Sequence, residues 1–137
     1  MEVVRGDRLT GARGVRILLD THFLLWTALD ADRLTEFPWL DAYRPWGISP
    51  VSFLEIQFLH EVGRLALLEP GFAQAVASDR RFSVDEVPLV TLVEKALPLS
   101  WTRDPFDRLI TAQAARLGAS LLTRDRTIRD HYANAVW

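Results

Sequence analysis

The sequence predicts an α/β fold, with one domain built on a central parallel β-sheet and helices on both faces. Two observations carry this prediction. Short apolar runs alternate along the chain with segments in which apolar residues recur at helical spacing. The chain has 137 residues, of which 49% are hydrophobic and 25% are charged, and this size and composition are typical of one globular domain.

The first strand and the first helix meet at an aspartate. Residues 15–19 form a mostly apolar run, as expected of a strand that is buried on both faces, and the run stops at Asp20. Helical spacing of apolar residues follows over residues 21–29. Residues 1–14 are mostly polar and have no period, so we expect an N-terminal extension ahead of a domain that covers residues 15–137.

The middle of the chain predicts two further strands and three helices. The Ser49-Pro50 pair follows a short apolar run and is typical of a helix start. Alternating apolar and polar residues later indicate a half-exposed strand. In chain order these elements are strand 46–49, helix 50–62, helix 70–77, strand 82–87 and helix 89–97.

The clearest helix begins at Asp104 and Pro105 and stops at Gly118, because aspartate and then proline open a helix and glycine ends one. The elements after it are strand 119–123, helix 124–132 and strand 135–137.

Four acidic residues fall where such a sheet can gather them. Ligands bind at the carboxyl ends of parallel strands where the strand order reverses, and Asp20 and Asp125 both follow predicted strands. Asp107 lies at the start of the helix that leads into strand 119–123, so a right-handed crossover would bring it to the same end of the sheet. Glu55 lies among apolar residues, where an ionised carboxylate is costly unless a cation or hydrogen-bond donors offset it.

Each acid also has a purely structural interpretation. Asp104 and Asp125 can each cap a helix, since an aspartate side chain accepts hydrogen bonds from the first turn. Ser52 and Glu55 fit a capping box, whereas Pro50 places the helix start earlier and Glu55 inside the helix. Four acids arranged in this way are harder to explain as caps alone.

Composition restricts the chemistry of any metal site. The chain has no cysteine, which excludes disulfides, thiolate catalysis and cysteine-based zinc sites. His22 follows the first acid, but neither His60 nor His131 has metal-ligand spacing to it. Carboxylates are therefore the expected ligands, and their hard oxygens suit Mg²⁺.

Charge and hydropathy restrict location and partners. A net charge of −2 does not attract a polyanion, so nucleic-acid binding would have to come from local features. No apolar run approaches the about 20 residues of a membrane-spanning helix, and residues 1–14 contain no signal-peptide core, so we expect a cytoplasmic protein without membrane contact.

Four segments together resemble the successive motifs of PIN-domain nucleases, and the closest branch is the VapC-like toxins of bacterial toxin–antitoxin pairs. The resemblance runs from about residue 15 to residue 137, in the order and at the spacing usual for the family. The segments are LLDTHFLLW (18–26), VSFLEI (51–56), RDPFDRLITAQA (103–114) and LTRD (122–125).

The resemblance implies an acidic pocket that binds Mg²⁺ or Mn²⁺ and cleaves single-stranded RNA by hydrolysis. It places the four acids of the family at Asp20, Glu55, Asp107 and Asp125. We expect Asp20 and Asp107 to bind the ion directly. Glu55 and Asp125 would bind a second ion or hold metal-bound waters, since four close carboxylates without cations repel one another.

Further residues have expected supporting roles. The hydroxyls of Thr21 and Thr123 would orient carboxylates or waters. Asp104 belongs to the VapC-like branch rather than to the whole family, and we expect it to cap its helix first and to support the metal ligands second. Arginines close to the acids in sequence, among them Arg108 and Arg124, would supply local affinity for phosphate. The implied partners are an RNA substrate and a small antitoxin.

Three alternatives differ in class. A phosphoacceptor receiver domain also gathers aspartates at strand ends, but it needs a lysine at a strand end, and the only lysine, Lys95, falls in a predicted helix. A second alternative is a PIN-like fold that has lost catalysis and serves as a binding module. A third is a PIN-fold nuclease outside toxin–antitoxin systems that acts on structured RNA or DNA.

The aromatic content predicts a homodimer. Five Trp and seven Phe are many for 137 residues, and we expect a small core to leave several of them partly exposed. Aromatic residues outside the core are enriched at protein interfaces. The residues concerned include Trp26, Trp39, Trp46 and Trp101.

Overall fold

Five short parallel strands form one sheet in the order β3-β2-β1-β4-β5 within residues 14–137, the part of the chain that the computed structural model describes. The central strand β1 pairs with a neighbour on each side, so that Leu18 lies opposite Gly47 and opposite Leu121. The extension predicted for residues 1–14 lies outside the described residues, apart from Gly14. The strands are β1 (Ile17–Leu19), β2 (Trp46–Ile48), β3 (Phe82–Val84), β4 (Ser120–Leu122) and β5 (Ala135–Val136).

Six α-helices accompany the strands, and the predicted α/β class and parallel sheet are confirmed. Every predicted strand and helix is present, with its ends within three residues of the prediction. Two 3₁₀ helices, Ala31–Glu36 and Pro38–Tyr43, were not predicted, because such short turns lack the 3.6-residue period that marks an α-helix. The α-helices are α1 (Thr21–Leu29), α2 (Val51–Glu61), α3 (Phe72–Ser78), α4 (Leu89–Ala96), α5 (Pro105–Leu117) and α6 (Arg126–His131).

Alternate residues of β1 and β4 face opposite sides of the sheet, and each side has its own core. Ile17, Leu19 and Leu122 pack with α1, the 3₁₀ helices, α2 and α3. Leu18 and Leu121 pack with α5 and α6. This alternation explains why the strands read as continuous apolar runs, since both of their faces are covered.

Helix α4 lies outside α5 as a further layer. Leu92 and Ala96 of α4 are buried against Ala112 of α5. The other side of α4 is exposed, and none of the helices in residues 14–137 is long and apolar enough to cross a bilayer.

The tryptophans are less exposed than the sequence analysis expected. Trp46 is 1% exposed and donates its indole N–H to the Leu40 carbonyl at 2.9 Å. Trp26 and Trp39 are half-buried against the larger core, and Trp101 packs against the smaller one. A homodimer interface therefore has to be sought among other residues.

The strand order creates one point at which the chain reverses direction across the sheet. From β1 the chain proceeds outward through β2 and β3, and then returns to add β4 and β5 on the other side of β1. The crevice between the carboxyl ends of β1 and β4 is therefore the position at which a ligand site is expected in an open α/β sheet.

Candidate active site

Asp20 follows β1 directly and is held by two hydrogen bonds. Its Oδ1 accepts from the Phe23 backbone N–H at 3.1 Å, which makes Asp20 the N-cap of α1. Its Oδ2 accepts from the Thr123 hydroxyl at 2.5 Å. Burial raises the pKa of Asp20, and the bonds from Thr123 and Phe23 oppose that rise. The carboxylate is thus buried, and hydrogen bonds from Thr123 and Phe23 fix its orientation.

Asp125 joins the same hydrogen-bonded chain from β4. Its backbone N–H donates to the Thr123 hydroxyl at 3.0 Å, and its Oδ1 accepts from the Ile128 N–H at 2.9 Å. Asp125 therefore caps α6, as its structural interpretation predicted. Thr123 links the residue to Asp20 across the switch point of the sheet.

Glu55 lies inside α2 and does not form a capping box. The helix begins at Val51 with Pro50 as its N-cap residue, so Ser52 is already within the first turn. Glu55 instead accepts a hydrogen bond from the Thr21 hydroxyl at 2.5 Å. Burial raises its pKa, the bond from Thr21 opposes the rise, and the nearby Asp104 carboxylate adds to it.

Asp104 and Asp107 come from the start of α5. Asp104 caps this helix, since its Oδ1 accepts from the Phe106 N–H at 2.8 Å and from the Asp107 N–H at 3.3 Å. Asp107 is half-buried, and burial together with the neighbouring carboxylates raises its pKa to about 7. Asp104 contributes most among those carboxylates.

The structure brings all five acids to one cleft with a volume of about 690 Å³. Within it, carboxylate oxygens of Glu55, Asp104 and Asp107 lie within 4.8 Å of one another. Asp20 and Asp125 line the same cleft but do not belong to this closest group. Asp104, expected mainly as a cap, is thus both a cap and a member of the tightest carboxylate cluster among residues 14–137.

Comparison with known proteins places this chain in a family. The model described as PIN domain matches residues 17–134. The chain belongs to the PIN domain family. It is similar to Ribonuclease VapC22 of Mycobacterium tuberculosis, with 33% identity over 119 residues that cover 84% of this chain and 91% of the relative. The resemblance to VapC-like PIN-domain ribonucleases is therefore confirmed.

A solved structure supports the fold of this PIN domain. The crystal structure of PAE2754 from Pyrobaculum aerophilum superposes with a TM-score of 0.59 and 23% identity, and covers 92% of this chain and 91% of its own. At this identity the likeness concerns the fold alone.

The donor set of the PIN domain cleft fits a divalent cation. In the described part of the chain, none of the five acids forms an ion pair with lysine, arginine or histidine within 4.0 Å. Burial and the close approach of other carboxylates are unfavourable for a carboxylate without a positive partner, as the raised pKa values of Glu55 and Asp107 show. Carboxylate oxygens are the ligands that Mg²⁺ and Mn²⁺ prefer.

The basic residues at the cleft agree only in part with those expected, since Arg124 lines it and Arg108 does not. Arg108 is not among the residues that line it. Instead, its guanidinium donates to the carbonyls of Leu99 at 2.8 Å and Leu97 at 3.4 Å, beyond the end of α4. The arginines that line the cleft are Arg64 and Arg124. Arg64 follows α2 in an exposed turn, and no motif or period in the sequence marked it.

Proposed function

We propose that this PIN domain is a divalent-metal-dependent endoribonuclease that hydrolyses single-stranded RNA in the cytoplasm, and that it is the toxin of a toxin–antitoxin pair. The observation that carries the nuclease assignment is the cluster of Glu55, Asp104 and Asp107 oxygens within 4.8 Å, without a basic partner in the described chain. Membership of the PIN domain family and similarity to a ribonuclease support the same reaction.

The residues proposed to hold the ion are the acids of the cleft. Asp20 and Asp107 are the proposed direct ligands, Glu55 and Asp125 complete the set, and the position of Asp104 beside two of them adds it as a candidate. Mg²⁺ or Mn²⁺, when bound, would lower the pKa of water and neutralise charge on a phosphate.

The protein's own contribution is to fix the carboxylates before substrate binds. The Thr123 hydroxyl, at the end of β4, donates to one oxygen of Asp20 and fixes the orientation of that carboxylate. The Thr21 hydroxyl of α1 does the same for one oxygen of Glu55 in α2. Glu55 keeps its second oxygen free to bind a ligand, and Asp20, whose Oδ1 also accepts from the Phe23 N–H, keeps the remaining lone pairs of its two oxygens. These hydroxyls thus limit the rotation of the acids, which is the orienting role that we propose for them.

Metal-dependent cleavage of RNA tests the proposal. A labelled single-stranded RNA should be cut in Mg²⁺ or Mn²⁺ and remain intact in excess EDTA. Asp20→Asn and Glu55→Gln should each lose most of the activity while keeping the fold, because amides are poor ligands for these ions. Asp130→Asn is the matched control, since Asp130 is exposed on α6 and does not line the cleft.

Other outcomes would redirect the assignment. Cleavage that continues undiminished in EDTA would contradict a metal-dependent mechanism. Preferential cutting of a duplex, a structured RNA or a DNA flap would support a PIN nuclease outside toxin–antitoxin systems. Binding without cleavage of any of these substrates would indicate a silent binding module.

The toxin role rests on the resemblance to VapC-like toxins and has a cellular test. Expression should arrest bacterial growth, Asp107→Asn should relieve the arrest, and co-expression of the small protein encoded beside it should do the same. Equal toxicity of the Asp107→Asn variant would show that hydrolysis at this cleft is not what harms the cell.

A further inference from the structure

Arg124 lies at the edge of the acidic cleft. In sequence it falls between Thr123, which holds Asp20, and Asp125, which caps α6. Its guanidinium lies 3.9 Å from the ring centroid of Trp137 and 5.6 Å from that of Trp26. Both Arg124 and Trp26 line the cleft. A guanidinium stacks readily on aromatic rings, because it is planar, delocalised and weakly hydrated.

Stacking fixes the guanidinium but leaves its N–H groups unused. No hydrogen bond or ion pair of Arg124 occurs within residues 14–137, although Asp125 is its neighbour in sequence. Two other arginines use their guanidinium groups in contacts within the fold. Arg108 binds carbonyls beyond α4, and Arg116 binds both oxygens of Asp85 at 2.8 Å.

The two rings that support Arg124 pack against the larger core. The Trp137 ring packs against Phe23 at 6.3 Å and against Phe37 at 5.6 Å between centroids. Trp26 packs against Phe23 at 4.8 Å and has the Arg33 guanidinium 5.0 Å from its ring. The cation is thus supported by two half-buried tryptophans that pack on the buried Phe23 and Phe37, which lowers the entropy that it would lose on binding a ligand.

We propose that Arg124 is a substrate-positioning residue that binds a backbone phosphate of single-stranded RNA beside the acidic cluster. This inference rests on the proposed nuclease function and assigns a contact within that site. An arginine whose face is covered and whose edge is free presents N–H donors in the geometry of phosphate oxygens. A strand held there would lead its next phosphodiester into a cleft whose own carboxylates repel it, which explains the use of a fixed cation at this edge.

The phosphate contact is tested with Arg124→Gln, and Arg126→Gln is the matched control. Both arginines are exposed, make no hydrogen bond or ion pair in the described chain, and lie two positions apart, but Arg126 does not line the cleft. We measure KM and kcat for cleavage, and Kd for an RNA oligonucleotide in an Asp107→Asn background with Mg²⁺ present. Arg124→Gln should raise KM and Kd about tenfold, the effect of one charge-assisted hydrogen bond at a partly exposed position, while Arg126→Gln changes them less than about twofold.

Salt dependence separates a phosphate contact from a structural role. Loss of one contact should lower the slope of log Kd against log salt by about 0.7, the value for single strands. Arg124→Lys should keep this slope because it keeps the charge, yet bind more weakly because it loses the planar fork. Trp137→Leu should also keep the slope and weaken binding, and its thermal midpoint reports any loss of packing.

The experiment distinguishes failure of the proposed nuclease function from failure of the proposed phosphate contact. If the parent protein neither binds nor cuts RNA, the proposed function is wrong. If the parent cuts RNA but Arg124→Gln matches Arg126→Gln in KM, Kd and salt slope, then the phosphate contact at Arg124 is wrong and the nuclease assignment stands.

Discussion

At the scale of single residues, the site acids serve two purposes at once. Asp20, Asp104 and Asp125 each accept a backbone N–H at the start of a helix, and all three line the cleft. The structural and functional interpretations of these residues are therefore not alternatives. Helix starts carry partial positive charge, which reduces the cost of gathering carboxylates before any cation arrives.

The raised pKa of Asp107 makes the stability of the metal-free folded protein depend on pH. Its pKa is raised from 3.8 to about 7 in the folded protein. The folded state therefore binds more protons than the unfolded state between these values, so metal-free stability falls as the pH rises through this window. Asp107→Asn should raise the thermal midpoint in EDTA at pH 8, and raise it much less at pH 4.5, where the wild-type carboxyl is already protonated when folded.

The same measurement has an internal control. Asp130→Asn, on an exposed position, should leave the midpoint nearly unchanged at both pH values. Adding Mg²⁺ should stabilise the wild type more than Asp107→Asn, because only a ligand that binds the folded state raises its stability. A lower midpoint for Asp107→Asn at pH 8 would show that the carboxylate is not under repulsion.

At the scale of secondary structure, helices and strands with a clear period were predictable. Helix α5 has Asp104 and Pro105 at its start and Gly118 in a left-handed conformation at its end. These residue types allowed both ends of the helix to be predicted from the sequence. The 3₁₀ segments between α1 and β2 have neither signal. Strand β3 ends at Val84 rather than residue 87, because its partner β2 ends at Ile48, whose carbonyl accepts the Asp85 N–H at 2.9 Å. No local pattern in residues 82–87 shows where the partner strand stops.

The site was predictable to a similar degree. Strand ends and family motifs marked Asp20, Glu55, Asp107 and Asp125, and all four line one cleft. Sequence did not indicate that Arg108 would be bound to carbonyls beyond α4, because that contact depends on how α4 packs against α5. Long-range packing, rather than local preference, decides which charged residues near a motif remain free.

Strand β2 depends on a glycine for close packing. A Cβ at Gly47 would lie 2.7 Å from Val15 Cγ1, closer than Cβ atoms approach other atoms, and 3.0 Å from Leu18 Cδ1, which is also a tight contact. Gly47→Ala should therefore destabilise the protein by about 1–3 kcal/mol, the usual cost of overpacking a core. Urea unfolding measures this change.

A double-mutant cycle identifies the clash at Gly47. Val15→Ala removes the nearest methyl group, so Gly47→Ala should cost less in that background than in the wild type. Equal costs in the two backgrounds would locate the strain elsewhere in the strand.

At the scale of the whole molecule, the large apolar side chains exposed within residues 14–137 are mostly aliphatic, and none of them is a tryptophan. On α4, Leu89 and Val90 are both 67% exposed and Val93 is 38% exposed, and Leu97, the C-cap residue of the helix, is 65% exposed. These four residues, which we call the α4 stripe, share one side of the helix, because their spacing of three, four and seven residues follows the helical period. Contiguous exposed apolar patches mark interaction surfaces, and no residue of the α4 stripe lines the acidic cleft.

We expect the α4 stripe to join two copies of this chain. A twofold axis would pack each stripe against its copy, and such a contact leaves both clefts open. The protein should sediment as a dimer, and Val93→Glu should convert it to a monomer that still cuts RNA, since the acids of each cleft come from one chain. Thr91→Glu adds the same charge to an exposed position of α4 outside the stripe and should leave the dimer intact. A wild-type monomer, or a Val93→Glu dimer as stable as the Thr91→Glu dimer, would remove the α4 stripe as the interface.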